Sequence, residues 1–147
     1  LRLSARLSEI ASVRSFVAQI GSDQDLDERT LYTLHLVLEE ACTNVIEHAY
    51  QGQGGPMEIS LEMLEDRVRV IVRDWGVPFE PDKVPIPDVT APLEERPLGG
   101  LGVYLLREMM DDVCYQFCTE DGNTLTMIKQ IPDYHDPANQ NPSAAAP

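Results

Sequence analysis

Residues 57–74, MEISLEMLEDRVRVIVRD, decide the fold class. In MEISLEM (57–63) every second residue is apolar, the period of a half-buried strand. Glu65 and Asp66 make a tight turn, and RVRVIVRD (67–74) resumes the alternation, which gives a hairpin. A hairpin imposes antiparallel pairing. That excludes the doubly wound parallel sheet of dinucleotide-binding folds.

Outward from this hairpin the period changes. LRLSARL (1–7) alternates like an edge strand, and SEIASVRSFVAQIG (8–21) puts Ile10, Val13, Phe16, Val17 and Ile20 on a helical period ending at Gly21. A long helix follows from about Asp27 to Tyr50, with Leu31, Leu34, Leu38, Ala41, Val45 and Ala49 on its apolar face. QGQGGP (51–56) breaks it. Downstream, residues 75–99 carry six of the eleven prolines and no periodicity, as lids and binding loops do. A helix from about Gly100 to Asp112 turns Leu101, Leu105, Leu106, Met109 and Met110 inward. A second hairpin runs from Val113 to Thr119, turns at EDGN (120–123), and returns from Thr124 to Ile131. The expected architecture is α+β, a two-layer sandwich with helices on one face of a mixed or antiparallel sheet. It occupies one domain, residues 1–131, and the Pro- and Ala-rich stretch 132–147 is expected to be a disordered tail.

Composition narrows the function. Eleven basic against 25 acidic side chains give a net charge of −14, which disfavours direct nucleic-acid binding and suits either a basic protein partner or simple solubility. No apolar run approaches the ~20 residues that span a bilayer. The three cysteines, Cys42, Cys114 and Cys118, lack metal-site spacing and are expected to be buried free thiols in a reducing cytoplasm.

Three polar islands remain once the core is accounted for. In LEEACTNVIEHAY (38–50), Glu40, Asn44, Glu47 and His48 share one side of the long helix. An amide suits Mg²⁺ when phosphates supply the negative charge, and a carboxylate one turn away can accept a proton. A solvated helix face explains the same spacing. In DWGVPFEP (74–81) an acidic residue ends a buried strand with a glycine two positions on, which fits an adenine amino group or an ordinary strand-end turn. In PLGGLGV (97–103) glycines lead from the loop into a helix, as in a phosphate cradle or a hinge.

Together the islands resemble a known family. EACTNVIEHAY is similar to the N-box of the GHKL ATPase/kinase superfamily, in the form carried by anti-sigma-factor serine/threonine-protein kinases. RDWGVPFEP resembles its adenine box, EERPLGGLGVYLLREMMDDV its glycine box and following helix, and GNTLT its last Thr-bearing strand. Pro78 departs from the second glycine common in that adenine box.

The resemblance implies a Bergerat-type ATP site with Mg²⁺. Glu40 would be the general base and Asn44 the Mg²⁺ ligand, with His48 a phosphate neighbour. Asp74 and Gly76 would bind adenine, with Thr124 supporting the pocket. The turn Gly99, Gly100, Leu101 and Gly102 would hold phosphates and hinge the loop, and Arg96 would clamp the γ-phosphate. The implied activity is phosphorylation of a STAS-type anti-anti-sigma protein by a cytoplasmic, homodimeric kinase that also sequesters a sigma factor. A non-catalytic nucleotide-dependent binding module is the alternative. The catalytic fragment of a sensor histidine kinase is another, but it calls for an upstream phosphoacceptor helix domain and an N-box without the His-Ala-Tyr ending.

Overall fold

The computed structural model describes residues 1–78, 80, 101–118 and 120–131. Most of the long loop 75–99 and all of the tail 132–147 lie outside the described residues, as do Arg96, Gly99 and Gly100.

In chain order the elements are β1 (Arg2–Ser4), a 3-10 turn (Leu7–Glu9), α1 (Ile10–Asp23), α2 (Glu28–Asn44), a π turn (Val45–Ala49), β2 (Pro56–Leu64), β3 (Arg67–Asp74), α3 (Leu101–Met109), β4 (Asp112–Cys118) and β5 (Gly122–Gln130). Among the described residues the strands form one sheet of order β1-β2-β3-β5-β4. Every pairing is antiparallel, including the expected hairpins β2–β3 and β4–β5. The helices lie on one face. Val68, Val70 and Val72 of the central strand, flanked by Met57, Ile59, Leu125 and Met127, bury against Val13, Val17, Leu34, Val37, Leu38, Ala41 and Leu106. The alternate residues Glu58, Ser60, Arg69 and Arg73 point the other way, so the α+β two-layer sandwich holds.

Asp27 starts α2 as its N-cap. Its Oδ1 accepts from the amides of Arg29 and Thr30, both at 2.9 Å, and Oδ2 accepts from the Thr30 hydroxyl at 2.6 Å. At the other end the α-helix stops at Asn44 and widens into the π turn, where the Tyr50 amide bonds to the Val45 carbonyl at 3.0 Å. Val45 and Ala49 continue the apolar stripe through this change, so periodicity could not reveal it.

Other expectations need correction. Helix α1 does not stop at Gly21 but runs to Asp23. Gly21 is glycine because α2 lies against it: a Cβ there would meet Leu31 Cδ1 at 2.5 Å. Leu101 is 49% exposed rather than inward. The buried stripe of the third helix is Val103, Leu106 and Met110, and a residue two positions before Val103 falls on the far side. Only Cys42 is a buried thiol, whereas Cys114 and Cys118 are exposed on the outward phase of β4.

Candidate functional site

The carboxyl end of α2, the π turn and the adjoining ends of β3, β4 and β5 surround an open-sided cavity. Its walls are mostly apolar: Ala41, Val45, Ala49, Val72 and Leu125, closed on one side by Tyr115 and Phe117. Those two rings occupy alternate positions of β4 and stack with centroids 6.5 Å apart. Burial pushes the Tyr115 phenol up to about 12, so it remains neutral near neutral pH.

Four polar side chains, Asn44, Asp74, Asn123 and Thr124, break the apolar lining. Asn44 lines the cavity, and among the described residues its buried Nδ2 has no hydrogen-bond partner. A buried amide N–H left unpaired costs stability, and an acceptor atom of a ligand would satisfy it. Asp74 is 7% exposed at the end of β3. Its Oδ1 accepts from the Gly76 amide and from Asn123 Nδ2, each at 2.9 Å. Asn123 Nδ2 also donates to the Gly76 carbonyl at 3.0 Å. Among the described residues no donor reaches Asp74 Oδ2, which stays available to a ligand.

Glu40 lies one helical turn before Asn44, half-buried where α2 meets α3. Loss of solvent raises its pKa above the ordinary carboxylate value, and the charges of Glu47 and Glu39 add to the effect. A carboxylate so tuned takes up a proton more readily. Cys42 is no competing nucleophile: burial holds its thiol up at about 12.

The glycines have structural partners of their own. A Cβ on Gly76 would come within 2.5 Å of the Ala49 carbonyl oxygen, which accepts from the Val77 amide at 2.9 Å. Gly76 is therefore fixed by contact with the π turn, whatever it offers a ligand. Tyr50 tightens the same corner, donating its hydroxyl to the Pro56 carbonyl at 2.7 Å while accepting from the Trp75 amide at 2.9 Å. Gly102 abuts the Glu40 carboxylate with no space for a side chain.

Of the residues singled out in the sequence, the fold gathers Asn44, Asp74 and Gly76 around one corner, with Glu40 and Gly102 together one turn away. His48 and Leu101 are exposed. Thr124 lines the same cavity. It pairs with Arg73, while its buried neighbour Asn123 pairs with Asp74 on the inner face. Counting back by twos from buried Leu125 and Met127 would have found Asn123. The same count along β4 finds Tyr115 and Phe117, which sequence reasoning also missed.

The donor set accommodates a nucleotide better than a metal held by protein alone. Among the described residues no group of three or more His, Cys, Asp or Glu could hold a cation. No described helix is long and apolar enough to cross a membrane.

Comparison with known proteins agrees with this geometry. The histidine kinase-like ATPase domain family matches residues 3–129. Serine-protein kinase RsbW from Bacillus cereus strain Q1 is 31% identical over 135 residues, covering 89% of this chain and 83% of that protein. RsbW from Bacillus thuringiensis subsp. konkukian matches with the same identity and coverage. With this alignment running through every element around the cavity, the chain belongs to the histidine kinase-like ATPase domain family, in the group of the RsbW serine-protein kinases.

Proposed function

We propose that this domain, residues 1–131, is an ATP-dependent serine/threonine-protein kinase and anti-sigma factor, and that its substrate is a STAS-type anti-anti-sigma protein. The observation that carries the reading is the pairing, on one cavity, of Asn44 with its unpartnered buried amide and Asp74 with its open Oδ2. Asp74 Oδ2 accepts from the adenine amino group, and the stacked Tyr115 and Phe117 flank the base.

Asn44 would hold the metal through its amide oxygen. A neutral amide, with phosphate oxygens completing the coordination, fits Mg²⁺, which seldom uses an all-protein cage. When bound, the ion neutralises phosphate charge. Gly102 stands with Glu40 at the phosphate end; Gly99, Gly100, Leu101, His48 and Arg96 are the remaining phosphate-binding candidates. Glu40 takes the proton of the substrate hydroxyl as its oxygen bonds to the γ-phosphorus and the bond to the ADP oxygen breaks. Phosphoryl transfer asks little more of a protein than positioning and charge neutralisation.

The net charge of −14 supports a basic protein partner and not nucleic acid. A cytoplasmic homodimer completes the reading.

Incubation with labelled ATP and candidate STAS proteins tests it. Transfer of label to a serine or threonine of one of them is expected. Tight ATP binding with no transfer to any candidate would leave a nucleotide-dependent binding module instead.

A further inference from the structure

We infer that Asn123 is a base-selecting residue: it anchors Asp74 and presents, beside the open Asp74 oxygen, a second acceptor to the ligand's base. The inference rests on the nucleotide reading above and deepens it.

The argument begins with the orientation of the amide. Asn123 Nδ2 lies 2.9 Å from Asp74 Oδ1 and 3.0 Å from the Gly76 carbonyl, and both partners are acceptors. A flipped amide would set Oδ1 against a carboxylate and a carbonyl at once, so the orientation is fixed by its neighbours. Both N–H bonds are thereby used. Only Oδ1 remains, and among the described residues no donor reaches it, although Asn123 is 7% exposed and lines the cavity.

Asp74 is in the complementary position. Its Oδ1 is occupied by two donors, the Gly76 amide and Asn123 Nδ2, which leaves Oδ2 for a ligand. The recognition corner is therefore acceptor-only: one carboxylate oxygen and one amide oxygen, on cross-strand partners of β3 and β5. Such a corner selects a base that brings donors. The exocyclic amino group of adenine carries two N–H bonds, one for Asp74 Oδ2 and one for Asn123 Oδ1. A purine without that group would leave two buried acceptors stripped of water and unpaired, the situation in which polar discrimination is strongest.

Asn123 also has a plainly structural capacity, since it ties the end of β3 to β5. The two roles are separable by comparing ATP with purine riboside triphosphate, which lacks only the amino group. Trp75, the single tryptophan, provides the signal: its indole lies beside Gly122, where a Cβ would meet Nε1 at 2.9 Å. Calorimetry provides an independent affinity.

The wild-type chain is expected to prefer ATP, and Asn123→Ala to reduce that preference by roughly tenfold, as for loss of one hydrogen bond. Asn123→Ser restores a small polar group, so its preference should fall between the two; it serves if the alanine variant fails to fold. A folded variant that loses affinity for both nucleotides equally would overturn the inference and leave a strand tie. A wild-type chain that binds neither nucleotide would overturn the nucleotide reading itself.

Discussion

The Glu40 carboxylate rests directly against Gly102, and this contact joins α2 to α3. A methyl group on Gly102 would occupy the space of Glu40 Oε1. The glycine's lack of a side chain thus serves the carboxylate opposite as well as any phosphate nearby. Gly102→Ala must displace Glu40 or spread the helices. We expect a loss of about 1–3 kcal/mol in stability, typical of overpacking, together with slower phosphoryl transfer. Urea denaturation beside single-turnover transfer checks both, and unchanged values in both would mean the contact is slack.

Asp27 tests the beginning of the same helix. Its hydrogen bonds from the Thr30 hydroxyl and amide hold its pKa below the ordinary carboxylate value. A depressed folded pKa contributes stability above the unfolded pKa, and that stability is lost as pH falls through the folded value. Asp27→Ala should cost about 1 kcal/mol near neutral pH. The difference from wild type should shrink in acid. A gap that persists in strong acid would assign the loss to packing instead of the cap.

What was legible in the sequence follows from how local each cause is. The strands declared themselves because Met57, Ile59, Leu61 and Met63 alternate with polar residues and Val68 and Val70 with arginines, and Asp74 stood out as a carboxylate ending a buried strand. Three features resisted because they depend on partners far along the chain. Gly21 reads as a helix stop until Leu31 is packed on it. The π turn reads as plain helix because Val45 and Ala49 suit both geometries. Asn123 was passed over because only the pleat, phased by Leu125 and Met127, turns it inward beside Thr124.

Tyr50 gives a test of the corner around Asp74. Its hydroxyl links the Pro56 carbonyl and the Trp75 amide, so it clamps the start of β2 to the end of β3. Tyr50→Phe removes both bonds while keeping the ring. Because the bonds are solvent-exposed, the expected cost is only about 0.5–1.5 kcal/mol. Trp75 fluorescence should shift in the absence of ligand as its backbone loosens, and ATP affinity should fall with it. Identical spectra and affinity would show that Gly76 and Ala49 hold the corner unaided.

Glu40→Gln separates chemistry from binding and makes a second, opposite statement about stability. The substitution keeps the side chain's size but removes its ability to accept a proton, so phosphoryl transfer should slow by roughly 10²–10⁴-fold. ATP affinity should change little, since Asn44 and Asp74 are untouched. Asn44→Ala should instead weaken Mg²⁺-dependent binding and transfer together. Because desolvation raises the wild-type pKa, transfer should gain its rising limb above the ordinary carboxylate range, and that limb should vanish in the variant. The stability sign is fixed by the same shift. A folded pKa above the unfolded one gives a contribution that is fully present below the unfolded pKa and lost as pH rises through the folded value. Above its folded pKa the ionised Glu40 therefore burdens the fold, and Glu40→Gln should be the more stable protein there, with its advantage shrinking in acid. Denaturation midpoints across pH, set beside single-turnover rates, read both effects. A glutamine variant that transfers phosphate normally would remove Glu40 as the base, and one that is no more stable above that folded pKa would show that its carboxylate is not strained by burial.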